Sequence, residues 1–244
     1  MSGHSKWNNI KAKKEKSDAA RGKIFTKIGR EITVCVKQGG GDPAVNSKLK
    51  ELIAKAKSLN VPNDNIERVI KKASGQGDTE EYENIVYEGY GPSGVAVIVD
   101  TLTDNRNRTA GDLRHYFDKY GGNLGQTGSV SWQFHKKGVI VINGEDVVED
   151  EIMELGMDNG AEDVVADGEA VELTCEPDDF NTLYDAVSQA GYEVLSAEVA
   201  MVPENYIAID SEEGRINMQK MLDVMEDDDD IQNVWHNWEN PDEE

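Results

Sequence analysis

The 244-residue sequence has few of the features that mark secreted, disulfide-bonded or membrane-spanning proteins. Its only two cysteines, Cys35 and Cys175, lie far apart, so a disulfide framework is not expected and a reducing cytoplasm fits. The longest aliphatic run, Val95 to Val99, is much shorter than the roughly 20 apolar residues that a membrane-spanning helix needs. The opening MSGHSKW lacks an apolar stretch behind a positive end and predicts no secretory signal.

Patterns of catalytic and metal-binding residues are also lacking. The four histidines are isolated from one another and from the cysteines, without zinc-ligand spacing. The GPSG sequence around Ser93 is not a nucleophile elbow, which requires glycine two residues to each side of the serine, because Val95 stands at the second of these positions. Asp100, Asp104 and Arg106 remain as candidates for an enzyme site, but no nucleophile or cofactor motif accompanies them. The sequence therefore predicts a protein that is not an enzyme and that needs neither a metal nor a cofactor.

Charge is distributed unevenly along the chain. The formal net charge of −23 argues against a nucleic-acid partner. Residues 1–77, however, hold 17 Lys+Arg and 7 Asp+Glu, whereas the remaining residues hold 8 and 41. This asymmetry predicts a basic segment that attracts phosphate and an acidic body that repels polyanions. The interpretation requires that the N-terminal cations are not neutralised by the protein's own carboxylates.

The basic segment is predicted to contain three amphipathic helices. Apolar residues of 17–37 recur every three or four positions and predict the first helix. Asp42 and Pro43 predict the start of the second helix, whose apolar stripe includes Val45. A third, short helix is predicted from residue 63 to Gly75. Residues 1–16 carry five lysines and little apolar content, and we expect them to become ordered only on binding.

Lysines of this segment suit phosphate binding, because they release counterions without reading sequence. Trp7 either stacks on an unpaired base or packs against the helices. The predicted nucleic-acid-binding residues are Lys6, Trp7, Lys11, Lys13, Lys14, Lys16, Arg21, Lys23, Lys27 and Arg30.

Two α/β domains are predicted behind the helices. Residues 138–202 read as strand and helix in the order β-α-β-β-α-β, which is ferredoxin-like. The elements after residue 203 exceed that unit, and we expect them to return to the preceding strands. The predicted fold is thus α+β and multidomain, with a three-helix domain (1–80), a discontinuous α/β domain (81–135 plus 203–244) and an inserted ferredoxin-like domain (136–202).

Two further segments invite a functional interpretation. GGNLGQTGS (121–129) is glycine-rich, but it follows a predicted helix and precedes a strand, the reverse of a phosphate-binding loop, which favours a structural role. TDNRNRT (103–109) places Arg106 and Arg108 at the start of a helix. These arginines form either a second anion site or internal pairs with nearby carboxylates.

Long stretches of the sequence resemble the YebC/PmpR family. They are GHSKWNNIKAKKEKSDAARGKIFTKIGREI (3–32), KAKSLNVPNDNIERVIKKASG (55–75), YEGYGPSGVAVIVDTLTDNRNRT (87–109) and GGNLGQTGSVSWQF (121–134). The resemblance is dense over the first 138 residues and looser beyond them. It implies a helical domain with two α/β domains, and it implies that the basic face meets nucleic acid. The acidic body is more extreme than the family requires, which counts against tight binding to bare duplex DNA.

The resemblance and the charge pattern lead to one preferred function and two alternatives. Bacterial family members are described as DNA-binding transcriptional regulators, so we expect a cytoplasmic, monomeric regulator that binds DNA. Other members resemble translation factors that act at the ribosome, and the mitochondrial relatives are translational activators of cytochrome oxidase. A ribosome-associated protein that binds ribosomal RNA or tRNA and relieves stalling is therefore the first alternative. A protein-binding adaptor with a basic partner is the second, and no membrane partner is expected.

Overall fold

The computed structural model describes residues 18–75, 81–145, 147–166 and 169–239, and for residues 18–21 it describes the backbone alone. Three helices open this part of the chain: α1 (Asp18–Gly39), α2 (Ser47–Ser58) and α3 (Asn63–Ser74). Their apolar stripes are buried, as the three- and four-residue spacings predict. The buried side chains include Ile32, Leu49, Leu52, Ala56 and Ile66.

The predicted start of α2 is wrong. The Asp42 and Pro43 pair begins a turn, in which the Asp42 carbonyl accepts the amides of Val45 and Asn46 at 3.2 and 3.0 Å. The helix starts at Ser47 because the Asn46 side chain accepts the Leu49 amide and caps it. Val45, predicted to lie on the apolar stripe, consequently stays outside the helix with 80% of its surface exposed.

The first sheet combines sequence-distant strands. Its strands β1 (Glu83–Tyr90), β2 (Ala96–Thr103), β3 (Asn123–Leu124) and β8 (Ile231–His236) lie in the order β3-β1-β2-β8. Helices α4 (Arg106–Lys119) and α7 (Glu212–Asp227) supply Leu113, Phe117 and three methionines to the core beneath it. Strand β2 pairs with β1 and β8 and is buried on both faces, since Val97 and Val99 pack in this core while Ala96 and Ile98 pack in a second cluster. The C-terminal strand thus returns to the middle domain, as predicted.

The second sheet is ferredoxin-like. Strand β4 (Phe134–Asn143) leads to helix α5 (Glu149–Asp158), strands β5 (Ala161–Ala166) and β6 (Ala170–Cys175), helix α6 (Phe180–Gln189) and strand β7 (Val194–Pro203). The order β5-β6-β4-β7 places the first and third strands of the β-α-β-β-α-β unit side by side at the centre. The core contains Ile140, Ile152, Leu173, Phe180 and Leu183. This confirms the predicted fold class, including the insertion of one α/β domain in the other.

One strand is longer than predicted. The sequence pattern predicts separate strands over residues 129–134 and 139–142, but a single strand, β4, runs from Phe134 to Asn143, and a short 3-10 turn, Ser131–Gln133, precedes it. The described residues form two compact units, one within 32–77 and 136–200 and the other within 17–31, 78–135 and 201–244. The predicted residue bounds of the three domains stay a prediction.

The described ranges contain neither a membrane-spanning helix nor a cluster of metal-binding side chains. None of their helices is long and apolar enough to cross a membrane. Nor do these ranges contain a group of three or more His, Cys, Asp or Glu residues that could hold a metal ion.

Candidate nucleic-acid interface

Most of the predicted binding residues fall outside the part of the chain that the structure describes. Lys6, Trp7, Lys11, Lys13, Lys14 and Lys16 lie in residues 1–17, and Arg21 is described by its backbone alone. The remaining members are Lys23, Lys27 and Arg30 on helix α1. Their spacings of four and three residues place them along one ridge of that helix, as the sequence predicts.

The ridge faces the C-terminal end of helix α7 and the acidic residues after it. Lys23 Nζ donates to Asp227 Oδ1 at 2.6 Å, and Lys27 Nζ donates to the Glu226 carbonyl at 2.6 Å. Arg30 Nη1 donates to the Asp229 carbonyl at 2.8 Å. We call residues 226–230, with the sequence EDDDD, the acidic segment.

Helix geometry explains this arrangement. The last carbonyls of a helix have no partner within it and carry the negative end of its dipole, so cations are stabilising there. The three described cations of the predicted face are therefore engaged by carboxylate or carbonyl groups of the protein itself. For these three residues, the requirement that the N-terminal cations stay unpaired is not met.

The pairs differ in strength because they differ in exposure. The Lys23 and Asp227 side chains are 44% and 76% exposed, so water and salt screen their attraction, and such pairs contribute about 0–1 kcal/mol. Arg30, with a 23% exposed side chain, lies 3.5 Å from an Asp230 side chain that is only 9% exposed, and its guanidinium stacks 5.3 Å from the centre of the Tyr82 ring. A polyanion can displace Asp227 from Lys23 far more easily than it can displace Asp230 from Arg30.

Asp230 joins a helix and a strand through one carboxylate oxygen. Its Oδ2 accepts hydrogen bonds from Arg108 Nη2 at 2.6 Å, Arg108 Nε at 3.1 Å, Thr109 Oγ1 at 3.0 Å and Thr103 Oγ1 at 3.1 Å. Burial by itself raises the pKa of Asp230, but the hydrogen bonds from Arg108, Thr109 and Thr103 outweigh it, and the pKa lies below its ordinary value. Asp230 is consequently ionised at neutral pH and ties helix α4 to strand β2.

The arginines of the second candidate anion site have carboxylate partners. Arg108 Nη2 contacts Asp104 Oδ1 at 2.7 Å as well as Asp230, and these hydrogen bonds raise the pKa of Arg108. Arg106 also has a carboxylate neighbour, since its Nη1 lies 3.6 Å from Glu83 Oε1. The geometry agrees with the internal pairing that the sequence left open, and binding of an external anion stays a prediction. Asn105 caps the helix by accepting the Arg108 amide.

The glycine-rich loop holds a carboxylate of the protein itself. The Glu88 side chain belongs to a residue that is 3% exposed, and it accepts the amides of Gly128, Val130 and Ser131, each at 2.8 Å. Burial alone raises the pKa of Glu88, but these backbone hydrogen bonds lower it below its ordinary value. Gly128 has a φ of +86°, in the left-handed region that favours glycine. The loop therefore has a structural role, as its position after a helix and before a strand predicts.

Sequence reasoning missed Glu88 and the exposed Trp132. The partners of Glu88 lie about 40 positions further along the chain, so no local pattern indicates its role. Trp132 was assigned to a strand, but it lies in the 3-10 turn before β4 with 68% of its surface exposed. A large aromatic residue directly after a glycine-rich loop was the available signal.

The candidates for catalysis do not converge on a shared site. Asp100 accepts hydrogen bonds from the side chains of Asn84 and Asn233 at 2.7 and 3.1 Å. Asp104 is paired with Arg108, and Arg106 lies near Glu83. Cys175 is fully buried, and its burial raises the pKa of the thiol to about 12, which makes it a poor nucleophile.

Comparisons with known proteins cover almost the whole chain. A family model described as the TACO1/YebC protein N-terminal domain matches residues 5–76, and one described as the TACO1/YebC second and third domain matches residues 82–238. A protein of Acetivibrio thermocellus named "Probable transcriptional regulatory protein" is 57% identical over 239 residues, which span 98% of this chain and 99% of that protein. A protein of the same name from Caldicellulosiruptor bescii is 51% identical over 244 residues, the full length of both chains.

A solved structure has the same fold. The crystal structure of a conserved hypothetical protein from Aquifex aeolicus superimposes with a TM-score of 0.80 at 41% sequence identity, over 92% of each chain. Similarity to known proteins therefore extends over the N-terminal helices and both sheets.

Proposed function

We propose, since the chain belongs to the TACO1/YebC family, that it regulates gene expression by binding nucleic acid through its basic N-terminal segment. The observation that carries this proposal is the concentration of 17 Lys+Arg against 7 Asp+Glu in residues 1–77 of a chain whose net charge is −23. Full-length relatives that are more than half identical bear the name of a regulator and not of an enzyme, which supports a non-enzymatic role.

The first candidate target is DNA at a promoter. The name of the relatives, "Probable transcriptional regulatory protein", supports it directly. In this form of the proposal the protein acts in the cytoplasm as a monomeric, DNA-binding transcriptional regulator. Its affinity comes from phosphate contacts that release counterions, because lysine holds phosphate better than it reads base edges.

The second candidate target is ribosomal RNA or tRNA at the ribosome. Fourteen of the 17 cations in residues 1–77 are lysine, a composition suited to recognising a phosphate surface of defined shape. The acidic body would repel phosphate groups, so the protein would approach the RNA with its basic segment first. This arrangement suits a large structured RNA at least as well as bare duplex DNA. The proposal accordingly includes a translational role as its alternative.

One experiment separates the two targets. Binding of the full chain to a promoter-length DNA duplex and to ribosomal RNA is measured between 50 and 300 mM salt, together with co-sedimentation with ribosomes. Affinity should fall by about 0.9 log units per log unit of salt for each duplex phosphate contacted. Transcriptional regulation predicts the tighter, sequence-dependent binding to DNA, whereas a translational role predicts co-sedimentation that persists when competing DNA is added. Binding that does not depend on salt would contradict the lysine mechanism for either target.

A pair of matched variants tests the basic segment itself. Lys13→Gln with Lys14→Gln removes two neighbouring charges from the predicted face. Lys71→Gln with Lys72→Gln removes two neighbouring, exposed charges from the last turn of helix α3, where complementing the helix dipole explains them. The first pair should weaken binding and lower the salt slope by about two contacts, whereas the second should leave both nearly unchanged. Equal effects of the two pairs would refute a defined face.

A further inference from the structure

Trp132 is an exposed aromatic residue that lies between two buried residues directly after the glycine-rich loop. Val130 is fully buried and Phe134 is 5% exposed, whereas Trp132 between them is 68% exposed. Single exposed apolar residues are ordinary on protein surfaces, so exposure alone indicates nothing. What distinguishes Trp132 is how firmly the chain on either side of it is held.

Hydrogen bonds fix both the backbone and the ring. Glu88 Oε2 accepts the amides of Val130 and Ser131 at 2.8 Å, immediately before the tryptophan. The indole Nε1 of Trp132 donates to the Ser129 carbonyl at 3.1 Å. The polar atom of the side chain is thereby satisfied within the loop, and the ring has little rotational freedom left to lose. A preorganised ring of this kind binds a flat partner at a low cost in conformational entropy.

The loop next to Trp132 is free of acidic residues. Residues 119–135 contain no Asp or Glu, although the chain from residue 78 onwards contains 41 of them. Glu88 is buried, and three backbone amides compensate its charge. One exposed carboxylate does contact this segment: Glu204 Oε1 lies 2.6 Å from His135 Nε2, and the Glu204 amide donates to the Gln133 carbonyl at 2.9 Å. A phosphodiester chain therefore meets less repulsion from residues 119–135 themselves than from the carboxylate-rich segments of the acidic body.

We infer that Trp132 is a stacking site for an unpaired base of single-stranded RNA, an inference that rests on the proposed function. The bases of a duplex are stacked internally and present no face to an indole ring. Bases in RNA loops and bulges are splayed out, and they stack on aromatic side chains without regard to sequence. The satisfied indole N–H leaves the ring faces as the binding surface, which suits stacking and not hydrogen-bonded reading of base edges.

Fluorescence anisotropy with labelled RNA tests this inference on the full chain. The probe is a 12-nucleotide oligouridylate, compared with a 12-unit abasic ribose-phosphate strand of equal charge. Trp132→Ala should weaken oligouridylate binding about 5- to 150-fold, which corresponds to roughly 1–3 kcal/mol at 1.4 kcal/mol per tenfold change. It should leave abasic-strand binding and the salt slope unchanged, because Trp132 contacts no phosphate.

Two further variants control for shape and for general loss of apolar surface. Trp132→Phe keeps an aromatic face and should lose much less affinity than the alanine variant. Ile216→Ala removes an apolar side chain of 45% exposure on helix α7, and it should bind both strands like the wild type. The urea midpoints of all three variants should match that of the wild type.

The outcomes separate the inference from the proposed function. The stacking role would be overturned if Trp132→Ala bound oligouridylate like the wild type, or if Trp132→Phe lost as much affinity as Trp132→Ala. Salt-dependent binding by the wild type would then still support the proposed function. A wild-type protein that bound no nucleic acid at any salt concentration would overturn both. A loss on the abasic strand as large as that on oligouridylate would also refute base stacking.

Discussion

Replacing Asp230 by asparagine should destabilise the unit that contains strand β2 and helix α4. Asparagine keeps the shape and one acceptor oxygen, but it removes the charge that faces Arg108 at 2.6 Å and Arg30 at 3.5 Å. Breaking a buried ion pair costs about 3–5 kcal/mol, because the remaining charge is left without compensation. The Arg108 side chain is 46% exposed and water can rehydrate it, which reduces the expected loss to about 2–3 kcal/mol.

The assay is urea unfolding of Asp230→Asn beside Asp229→Asn, at pH 7. Asp229 is the exposed neighbour, and its carbonyl, which the substitution retains, accepts the Arg30 hydrogen bond. The control should therefore change stability by less than about 0.5 kcal/mol. A difference between the two variants below about 0.5 kcal/mol would refute the central role given to this carboxylate.

The pH dependence of that difference has a definite sign. The pKa of Asp230 is lowered in the folded protein, so its contribution is complete above the unfolded carboxyl value of about 3.9. The contribution is lost as the pH falls through the lower folded value. The stability advantage of the wild type over Asp230→Asn should accordingly be constant between pH 5 and 8 and should shrink below about pH 4.

Three other predictions follow from the same structure. Glu88→Gln should speed hydrogen exchange of the Gly128, Val130 and Ser131 amides about tenfold or more, since these three amides lose a charged acceptor; unchanged exchange would contradict the anchoring role. Cys175 should resist thiol reagents at pH 8 until the protein unfolds, because its pKa is about 12. Asp227→Asn should strengthen nucleic-acid binding by Lys23 a few-fold at low salt, and the gain should vanish at high salt.

Local patterns predicted most of the fold because they are read over adjacent residues. The three- and four-residue spacings located helices α1 to α3, and the alternation of elements in 138–202 identified the ferredoxin-like order. The start of α2 was missed because two helix-start signals compete within five residues. Asn46 prevails over Asp42 because its side chain also donates to the Gly40 carbonyl at 2.8 Å, a contact that depends on how the preceding helix ends.

The candidate site was harder to predict because its contacts join distant parts of the chain. Lys23 and Asp227 lie 204 positions apart, and Arg108 and Asp230 lie 122 apart. Counting charges by segment shows that the beginning of the chain is basic and the end acidic, but it cannot show which acid folds back onto which base. Glu88 was missed for the same reason, since nothing near it in sequence identifies the loop that its carboxylate binds.

The described cations of helix α1 differ in how strongly the protein's own acidic groups hold them. Arg30 lies near the buried carboxylate of Asp230, which also pairs with Arg108. If Arg30 bound a phosphate instead, Asp230 would lose part of the positive charge that compensates it. Lys23 pays no such penalty, because both partners are exposed and their attraction is already screened. The cost of releasing these cations from their partners therefore increases from Lys23 towards Arg30. We therefore expect the residues that precede the ridge to supply most of the binding energy of the predicted face.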